Sequence, residues 1–309
     1  MKTDRILILG VTGSGKGRLA FNLACDTGAE IVSIDAIKVY KRMDIGTAKP
    51  PKQARQSVRY HMIDLVEPSD SFSVGLFLDA ATAVIDQISI RNKPVIAVGG
   101  TALYIKALLH GLFEGPGSDQ AFRNELYAQA DSQGLEPLYR QLQKIDRPAS
   151  ENIHPNDAKR IIRALEVYHI TGKPISSFQQ QWDAPNVSHG WTIIGLRREK
   201  TDASSRINFR VKKMIETGLV DEVKALVAEE KPLSMQARCA IGYAEIIDHL
   251  AGKTTLEEAA ELIKKNTRRL AKGQRTWFKT FRDVNWLDVA ADESEESILK
   301  RAKTLLDIG

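Results

Sequence analysis

A glycine-rich turn near the N-terminus carries the clearest chemical signal in the chain. The run ILILGVTGSGKGRLA sets Gly10, Gly15 and Lys16 directly after an apolar stretch, at the spacing of a P-loop. In such a loop, backbone N–H groups converge on phosphate oxygens, the following helix points its positive end at them, and the lysine adds a mobile charge. The residues that we therefore predict to bind phosphate groups are Gly10, Thr12, Gly13, Ser14, Gly15, Lys16 and Gly17.

The P-loop lacks one of its usual groups. The full pattern has Ser or Thr after the lysine, because that hydroxyl ligates the Mg²⁺ that accompanies the bound phosphates. This chain has Gly17 at that position. The sequence therefore predicts phosphate binding but leaves direct metal ligation open, and we assign no metal ligand.

Two further apolar stretches end in polar side chains. The stretch 30–34 ends at Asp35, and the stretch 94–98 is followed by two glycines and Thr101. Ligands gather at the carboxyl ends of the strands in an open α/β sheet, so we expect Lys16, Asp35 and Thr101 to share one crevice. The alternative is that the carboxylate and the hydroxyl only cap a helix or a turn.

The order of elements predicts an α/β fold, with a P-loop NTPase-like parallel sheet flanked by helices. The first part of this core is 1–118. The sequence then becomes polar and helix-prone, which predicts an inserted all-helical domain at 119–189. A short apolar strand at 191–196 resumes the sheet, and helices are expected from there to the end of the second core part, 190–309.

Composition restricts the class of protein. The chain has 309 residues, of which 43% are hydrophobic and 27% charged, as in an ordinary soluble protein. A net charge of +5 permits a polyanionic partner without requiring one. Two cysteines are too few for a disulfide scaffold or a thiolate cluster. With no signal peptide or apolar span of about 20 residues, we predict a cytoplasmic protein that does not contact a membrane.

Seven blocks extend the motif analysis over most of the chain. They are DAIKVYKRMDIGTAKP (35–50), HMID (61–64), SFSV (71–74), VGGTALYIKAL (98–108), PNDAKRIIRALEV (155–167), IGYAE (241–245) and TRRLAKGQRTWF (267–278). In sequence and in order, these blocks resemble the tRNA dimethylallyltransferase family. A P-loop alone would be weak support, whereas seven co-linear blocks are specific.

The resemblance implies a prenyl transfer. A dimethylallyl group would pass from dimethylallyl diphosphate to N6 of the adenosine on the 3′ side of the anticodon. By the same resemblance, Asp35 is the general base, Thr101 orients the amine or a phosphate oxygen, and Arg206 stabilises the leaving diphosphate together with Mg²⁺. The implied partners are dimethylallyl diphosphate and the anticodon arm of tRNA, and we expect a monomer.

The resemblance also implies contacts to tRNA. An enzyme that modifies N6 must take the adenosine out of the anticodon stack and hold its neighbours, which basic side chains can do. The residues predicted to bind tRNA are Asp35, Ala36, Ile37, Lys38, Thr101, Arg123, Lys159, Arg160, Ile161, Ile162, Arg163 and Arg238. Any single basic residue of this kind is more often part of a surface ion pair.

The chain departs from the family pattern at the site itself. Gly17 replaces Thr or Ser, the triplet 36–38 replaces Ser-Arg-Gln, and Gly273 replaces Arg. These departures leave open a paralogue that binds tRNA or a diphosphate with weakened or lost transfer. A third possibility is a P-loop kinase that acts on a small molecule, which the extended blocks disfavour.

Overall fold

Two compact units make up the chain. The computed structural model describes residues 4–112, 115–182 and 190–307. The first unit combines Met1–Leu109 with Val187–Gly309, and the second is His110–Asn186. The predicted insertion at 119–189 overlaps the second unit, whose described residues form helices and no strand.

A parallel six-stranded sheet forms the centre of the first unit. The strands are β1 (Arg5–Gly10), β2 (Glu30–Ile34), β3 (Tyr60–His61), β4 (Val95–Gly99), β5 (Thr192–Arg197) and β6 (Val284–Asp288). Their order across the sheet is β3-β2-β4-β1-β5-β6, and every pair is parallel. This arrangement confirms the predicted α/β fold class.

Helices connect the strands and form the second unit. In the described part of the chain they are α1 (Lys16–Thr27), α2 (Lys52–Ser57), α3 (Val74–Ile90), α4 (Ala102–His110), α5 (Gln120–Gln133), α6 (Glu136–Ile145), α7 (Arg147–Asn152), α8 (Ala158–Thr171), α9 (Lys200–Glu216), α10 (Leu219–Val227), α11 (Met235–Arg238), α12 (Tyr243–Leu250), α13 (Leu256–Phe278) and α14 (Glu295–Leu305). A 3₁₀ helix spans Ile175–Trp182.

The sheet is buried on both faces, as its continuous apolar strands require. Successive side chains of a strand point to opposite faces. Leu7 and Leu9 of β1 therefore join one core, which includes α3, α9 and α13, whereas Ile6 and Ile8 join another, which includes α1 and α14. Both cores hold the carboxyl ends of the strands in place.

The sequence analysis did not predict two of the strands. The expectation of helices from residue 197 to the end is wrong, because β6 at Val284–Asp288 pairs with β5 at one edge of the sheet. Only Leu287 of its five residues is buried, so it lacks the apolar run of the central strands. At the other edge, β3 is only two residues long and pairs with β2. Short edge strands leave little pattern in a sequence.

The second unit is built around a separate apolar core and one buried carboxylate. Glu166 on α8 is fully buried, and its side chain accepts hydrogen bonds from Arg123 (2.8 Å), Arg163 (2.5 Å) and the backbone N–H of Asp119 (2.7 Å). Burial alone would raise the pKa of Glu166, but these hydrogen bonds outweigh it and hold the pKa below its usual value. The two arginines therefore stabilise this unit.

In the described ranges, no helix combines the length and the apolar character that crossing a bilayer would require.

The sheet predicts a contrast between two glycines. A Cβ on Gly99, the last residue of β4, would collide with the backbone of Ile34 on β2, whereas a Cβ on Gly273 in α13 would meet no atom within 4 Å. We expect Gly99→Ala to destabilise the protein by about 1–3 kcal/mol through overpacking. Gly273→Ala should stabilise it by about 0.5–1 kcal/mol, because alanine favours a helix over glycine. Chemical denaturation of both variants measures these changes, and equal effects would contradict the packing described for β4.

Candidate active site

A cavity of about 1430 Å³ lies in the first unit at the carboxyl ends of the strands. Single small ligands occupy roughly 300–1,000 Å³, so this cavity has room for more than one. The predicted site residues that line it are Thr12, Gly13, Gly15, Lys16, Gly17, Asp35, Ala36, Ile37, Lys38, Thr101 and Arg206. Gly10 and Ser14 lie beneath the lining, where a Cβ on Gly10 would be 2.6 Å from Ser14 Oγ. Their predicted phosphate contacts stay predictions.

The P-loop turns sharply from β1 into α1. Gly13 and Gly15 have φ values of 84° and 95°, which glycine adopts without the strain that a side chain would add. Gly15 is the residue before the first turn of α1. The free N–H groups and the positive end of this helix therefore face the cavity, as phosphate binding requires.

Lys16 extends into a positively charged environment. Its Nζ is 3.3 Å from the carbonyl oxygen of Val11. The pKa of Lys16 is lowered to about 7, chiefly by burial; the charges of Lys38 and Arg210 contribute to this shift, and Asp35 opposes it. The negative charge around this ammonium group is therefore too small to balance the positive charges, and an anionic ligand would supply more.

Three arginines that are distant in the sequence form hydrogen bonds with the P-loop. Arg206 Nε donates to the carbonyl oxygen of Gly13 (3.0 Å), and Arg198 Nε donates to that of Ser14 (2.9 Å). Arg210 Nη2 donates to Thr12 Oγ1 (2.6 Å). The sequence analysis selected Arg206 alone. The spacing of four residues between Arg206 and Arg210 on a predicted helix was the signal that would have found the second.

Arg210 differs from the other two arginines in having a buried donor without a partner. Its Nε atom is buried and has no hydrogen-bond partner in the described part of the chain. Burial lowers the pKa of its guanidinium, and the nearby Asp35 carboxylate opposes that shift. A buried donor without a partner is costly, and a phosphate oxygen in the cavity would satisfy it.

One glutamine joins the P-loop to the end of β4. Gln274 on α13 accepts a hydrogen bond from the Thr12 N–H (2.8 Å) through Oε1, and its Nε2 donates to the Gly100 carbonyl (2.9 Å). A Cβ on Gly100 would come within 2.5 Å of that Nε2 atom. A side chain at position 100 would therefore displace the Gln274 amide from these hydrogen bonds.

Asp35 and Thr101 lie close together at the carboxyl ends of β2 and β4, as the sequence analysis expected. Asp35 Oδ1 accepts hydrogen bonds from the N–H groups of Ile37 (2.9 Å) and Lys38 (3.2 Å), and Thr101 Oγ1 accepts one from Ala36 N–H (3.3 Å). Both side chains thus stabilise the turn after β2, as the capping alternative proposed. The second carboxylate oxygen, Oδ2, receives no hydrogen bond from the described residues.

The loop that follows is anchored by a glutamate. Glu222 on α10 accepts hydrogen bonds from the N–H groups of Asp44 (2.9 Å), Ile45 (2.7 Å) and Gly46 (3.1 Å), and from the Tyr243 hydroxyl (2.7 Å). Three successive amides thus share one carboxylate. Because Gly46 and the residues after it line the cavity, Glu222 positions one of its walls.

A buried lysine anchors the same loop from within. Lys49 Nζ donates to the Tyr40 carbonyl (2.6 Å) and forms ion pairs with Asp44 (2.7 Å) and Asp64 (2.5 Å). Its charge is therefore neutralised locally, unlike that of Lys38. The sequence analysis identified neither Lys49 nor Glu222 as a site residue.

The cavity does not fit a directly ligated Mg²⁺. Gly17 offers no hydroxyl, and Asp35 is the only carboxylate among the described residues that line the cavity. Across the described chain, no three His, Cys, Asp or Glu side chains are grouped to hold a metal ion. Magnesium binding stays a prediction from the resemblance.

The predicted tRNA-binding residues of the second unit fall into two sets. Ile161 and Ile162 are buried in its core, and Arg123 and Arg163 are paired with Glu166 as described above. Lys159 and Arg160 are exposed, as is Arg238 in the first unit. These exposed side chains can approach a phosphate backbone, and Arg160 also forms an ion pair with Asp157 at 3.3 Å. The predicted tRNA contacts of all these residues stay predictions.

Comparison with known proteins gives a consistent result. A sequence model of the IPP transferase family matches residues 38–281. A protein of Geotalea uraniireducens (strain Rf4) named tRNA dimethylallyltransferase 2 is 45% identical over 287 residues, which are 93% of each chain. The tRNA dimethylallyltransferase of Geobacter metallireducens is 43% identical with the same coverage.

Solved structures agree with these relatives. The full-length tRNA isopentenylpyrophosphate transferase from Bacillus halodurans superposes with a TM-score of 0.70 at 38% identity, covering 99% of this chain and 97% of that one. A eukaryotic dimethylallyltransferase described as acting on tRNA superposes with a TM-score of 0.81 at 28% identity, covering 97% of this chain and 77% of that one.

The lowered pKa of Lys16 predicts proton uptake on anion binding. At pH 8, Lys16 is mostly neutral in the free protein because its pKa is about 7. A bound diphosphate favours the charged form and raises that pKa, so binding takes up as much as about one proton and weakens as pH rises above 7. Calorimetry with inorganic diphosphate in buffers of different ionisation enthalpy measures the uptake. Lys16→Met is the control, and an unchanged uptake in that variant would assign the proton to another group.

The Glu222 contacts predict that the loop becomes less stable when this side chain is removed. Glu222→Ala removes the acceptor of three backbone N–H groups, and we expect it to cost about 2 kcal/mol of folding free energy. The amides of Ile45 and Gly46 should then exchange hydrogen faster. Glu229→Ala is the matched control, because Glu229 forms a solvent-accessible ion pair with Arg42 and should matter by less than about 1 kcal/mol. Equal stability of the two variants would count against the anchoring role.

Proposed function

Because the chain belongs to the IPP transferase family, we propose that it transfers a dimethylallyl group from dimethylallyl diphosphate to N6 of the adenosine on the 3′ side of the anticodon in tRNA. The observation that carries this proposal is the pairing of the P-loop cations with one carboxylate, Asp35, in the same cavity. The cations suit a diphosphate, and the carboxylate suits a group that loses a proton.

The P-loop side of the cavity would hold the leaving group. Lys16, Arg206 and Arg210 face the cavity from two elements, and the P-loop amides add fixed dipoles. As the allylic C–O bond breaks, its electron pair passes to the diphosphate. Cations already positioned there stabilise the developing negative charge without further rearrangement.

Apolar side chains provide a place for the prenyl group. Phe209, Leu270 and Trp277 line the cavity from α9 and α13. Phe209 is 64% exposed and Leu270 is 45% exposed, so both offer apolar surface to a ligand in the cavity. A five-carbon chain against them would also keep water from the allylic carbon.

Asp35 would accept the proton from N6. The exocyclic amine becomes acidic as its nitrogen bonds to the allylic carbon, so a nearby carboxylate promotes the attack. Oδ1 is engaged by the turn, and Oδ2 is available for this proton. The products are then N6-dimethylallyl adenosine in tRNA, free diphosphate and a protonated Asp35.

The tRNA would be held by positive charge. The net charge of +5 and the exposed Lys159, Arg160 and Arg238 support this partner. Each phosphate contact makes tRNA affinity fall as the salt concentration rises. We further infer a monomeric protein that acts in the cytoplasm, which size-exclusion chromatography and cell fractionation would test.

Product analysis tests the reaction. We expect the purified protein with Mg²⁺, dimethylallyl diphosphate and unmodified tRNA to form N6-dimethylallyl adenosine, detected by nucleoside mass spectrometry. Absence of product with retained tRNA binding would support instead the paralogue that binds without transfer. Phosphate release from ATP, with no prenylated product, would support a kinase.

Asp35→Asn separates the chemical role of Asp35 from its structural one. The amide oxygen keeps the hydrogen bonds from Ile37 and Lys38 but cannot accept a proton, so we expect kcat to fall by about 10²–10⁴ while tRNA affinity is retained. Asp35→Ala should lose stability as well as activity. Full turnover by Asp35→Asn would rule out Asp35 as the base.

A further inference from the structure

The missing hydroxyl at Gly17 leaves a gap in the phosphate site. In a P-loop, the hydroxyl after the lysine brings a divalent cation to the phosphates. Gly17 is exposed and has no protein atom within 4 Å of the position of its Cβ. Nothing in the packing of α1 therefore accounts for the absence of a side chain at this position.

A second lysine lies in the same cavity. Lys38 lines it together with Lys16, Asp35 and Arg210. Its backbone N–H is held by Asp35 Oδ1 at 3.2 Å, so it starts from the end of β2. One strand, β4, separates β2 from β1, which puts the two strand ends about 10 Å apart. Both lysines can therefore reach a ligand that bridges these ends.

The ammonium group of Lys38 has no counter-ion of its own. In the described part of the chain it forms neither a hydrogen bond nor an ion pair, in contrast to Lys49, whose charge two aspartates neutralise. Burial lowers the pKa of Lys38, and the Asp35 charge counteracts that shift. A cation held in this way without a partner is expected where an anion binds.

We propose that Lys38 contacts the diphosphate of the prenyl donor and supplies, as a fixed ammonium group, the positive charge that a P-loop hydroxyl would otherwise bring in as a metal ion. The proposal rests on the function inferred above. The family resemblance implied that Lys38 contacts tRNA. The proposal instead assigns Lys38 to the leaving group. Lys38 then belongs with Lys16 and Arg210 as a third cation on the same anion.

Binding of inorganic diphosphate tests the proposal without requiring the reaction. We expect the wild-type protein to bind it in EDTA, with little change in the dissociation constant on addition of Mg²⁺. Lys38→Gln should weaken binding in EDTA by about tenfold or more, since charge-assisted hydrogen bonds contribute that much. Lys38→Arg keeps the charge and should retain binding. Lys224→Gln removes an exposed lysine on α10, away from the cavity, and is the matched control.

A double variant tests whether a P-loop hydroxyl can replace Lys38. Gly17→Thr adds the missing hydroxyl at a position with open space around it. We expect Gly17→Thr combined with Lys38→Gln to regain diphosphate binding in Mg²⁺ but not in EDTA. The single Lys38→Gln variant should stay weak in both.

Three results would overturn the proposal. They are a wild-type protein that binds diphosphate only with Mg²⁺, a Lys38→Gln variant that binds it as tightly as wild type in EDTA, and a Lys38→Gln variant that loses affinity only for tRNA. Failure of prenyl transfer in all variants, with the expected diphosphate binding, would reject the proposed reaction and leave the assignment of Lys38 intact.

Discussion

Repulsion between like charges is the constraint on which the cavity depends. Lys16, Lys38 and Arg210 lie partly or wholly out of water with a single carboxylate, Asp35, among them. Such groups would separate or lose protons unless the backbone that carries them were held in place. Burial is the main cause of the lowered pKa of Lys16, and the charges of Lys38 and Arg210 add to it. An anionic ligand relieves this repulsion, so the cavity favours anion binding.

Contacts remote from the ligand hold the cations together. Gln274 joins the P-loop to the end of β4, Glu222 binds three amides of the next loop, and Lys49 neutralises two aspartates beneath it. Gln274 and Glu222 lie on α13 and α10, which pack in the same core on one face of the sheet, and Lys49 lies in the loop itself. Packing of the sheet is therefore coupled to the electrostatics of the site, which is why a preorganised site is possible at all.

The position after the P-loop lysine shows that residues outside a motif can supply charge that the motif lacks. Taken alone, Gly17 suggests a damaged phosphate site. In the structure, the same cavity contains more cationic groups than a P-loop motif supplies, since Arg206, Arg210 and Lys38 converge on it from two other elements. The total positive charge facing the ligand is thus set by the assembled cavity and not by the motif.

The amino-acid sequence by itself determined the P-loop, the four central strands and the meeting of Lys16, Asp35 and Thr101. These features follow from local patterns: apolar runs make buried strands, and parallel strands bring their carboxyl ends to one edge. Edge strands β3 and β6 left no such pattern because they are short or half exposed. Only the tertiary structure decided that Arg210, 198 residues from Thr12, and Gln274, 262 residues from it, hold the P-loop. Contacts between residues so far apart depend on how helices pack on the sheet, and no periodicity along the chain records that.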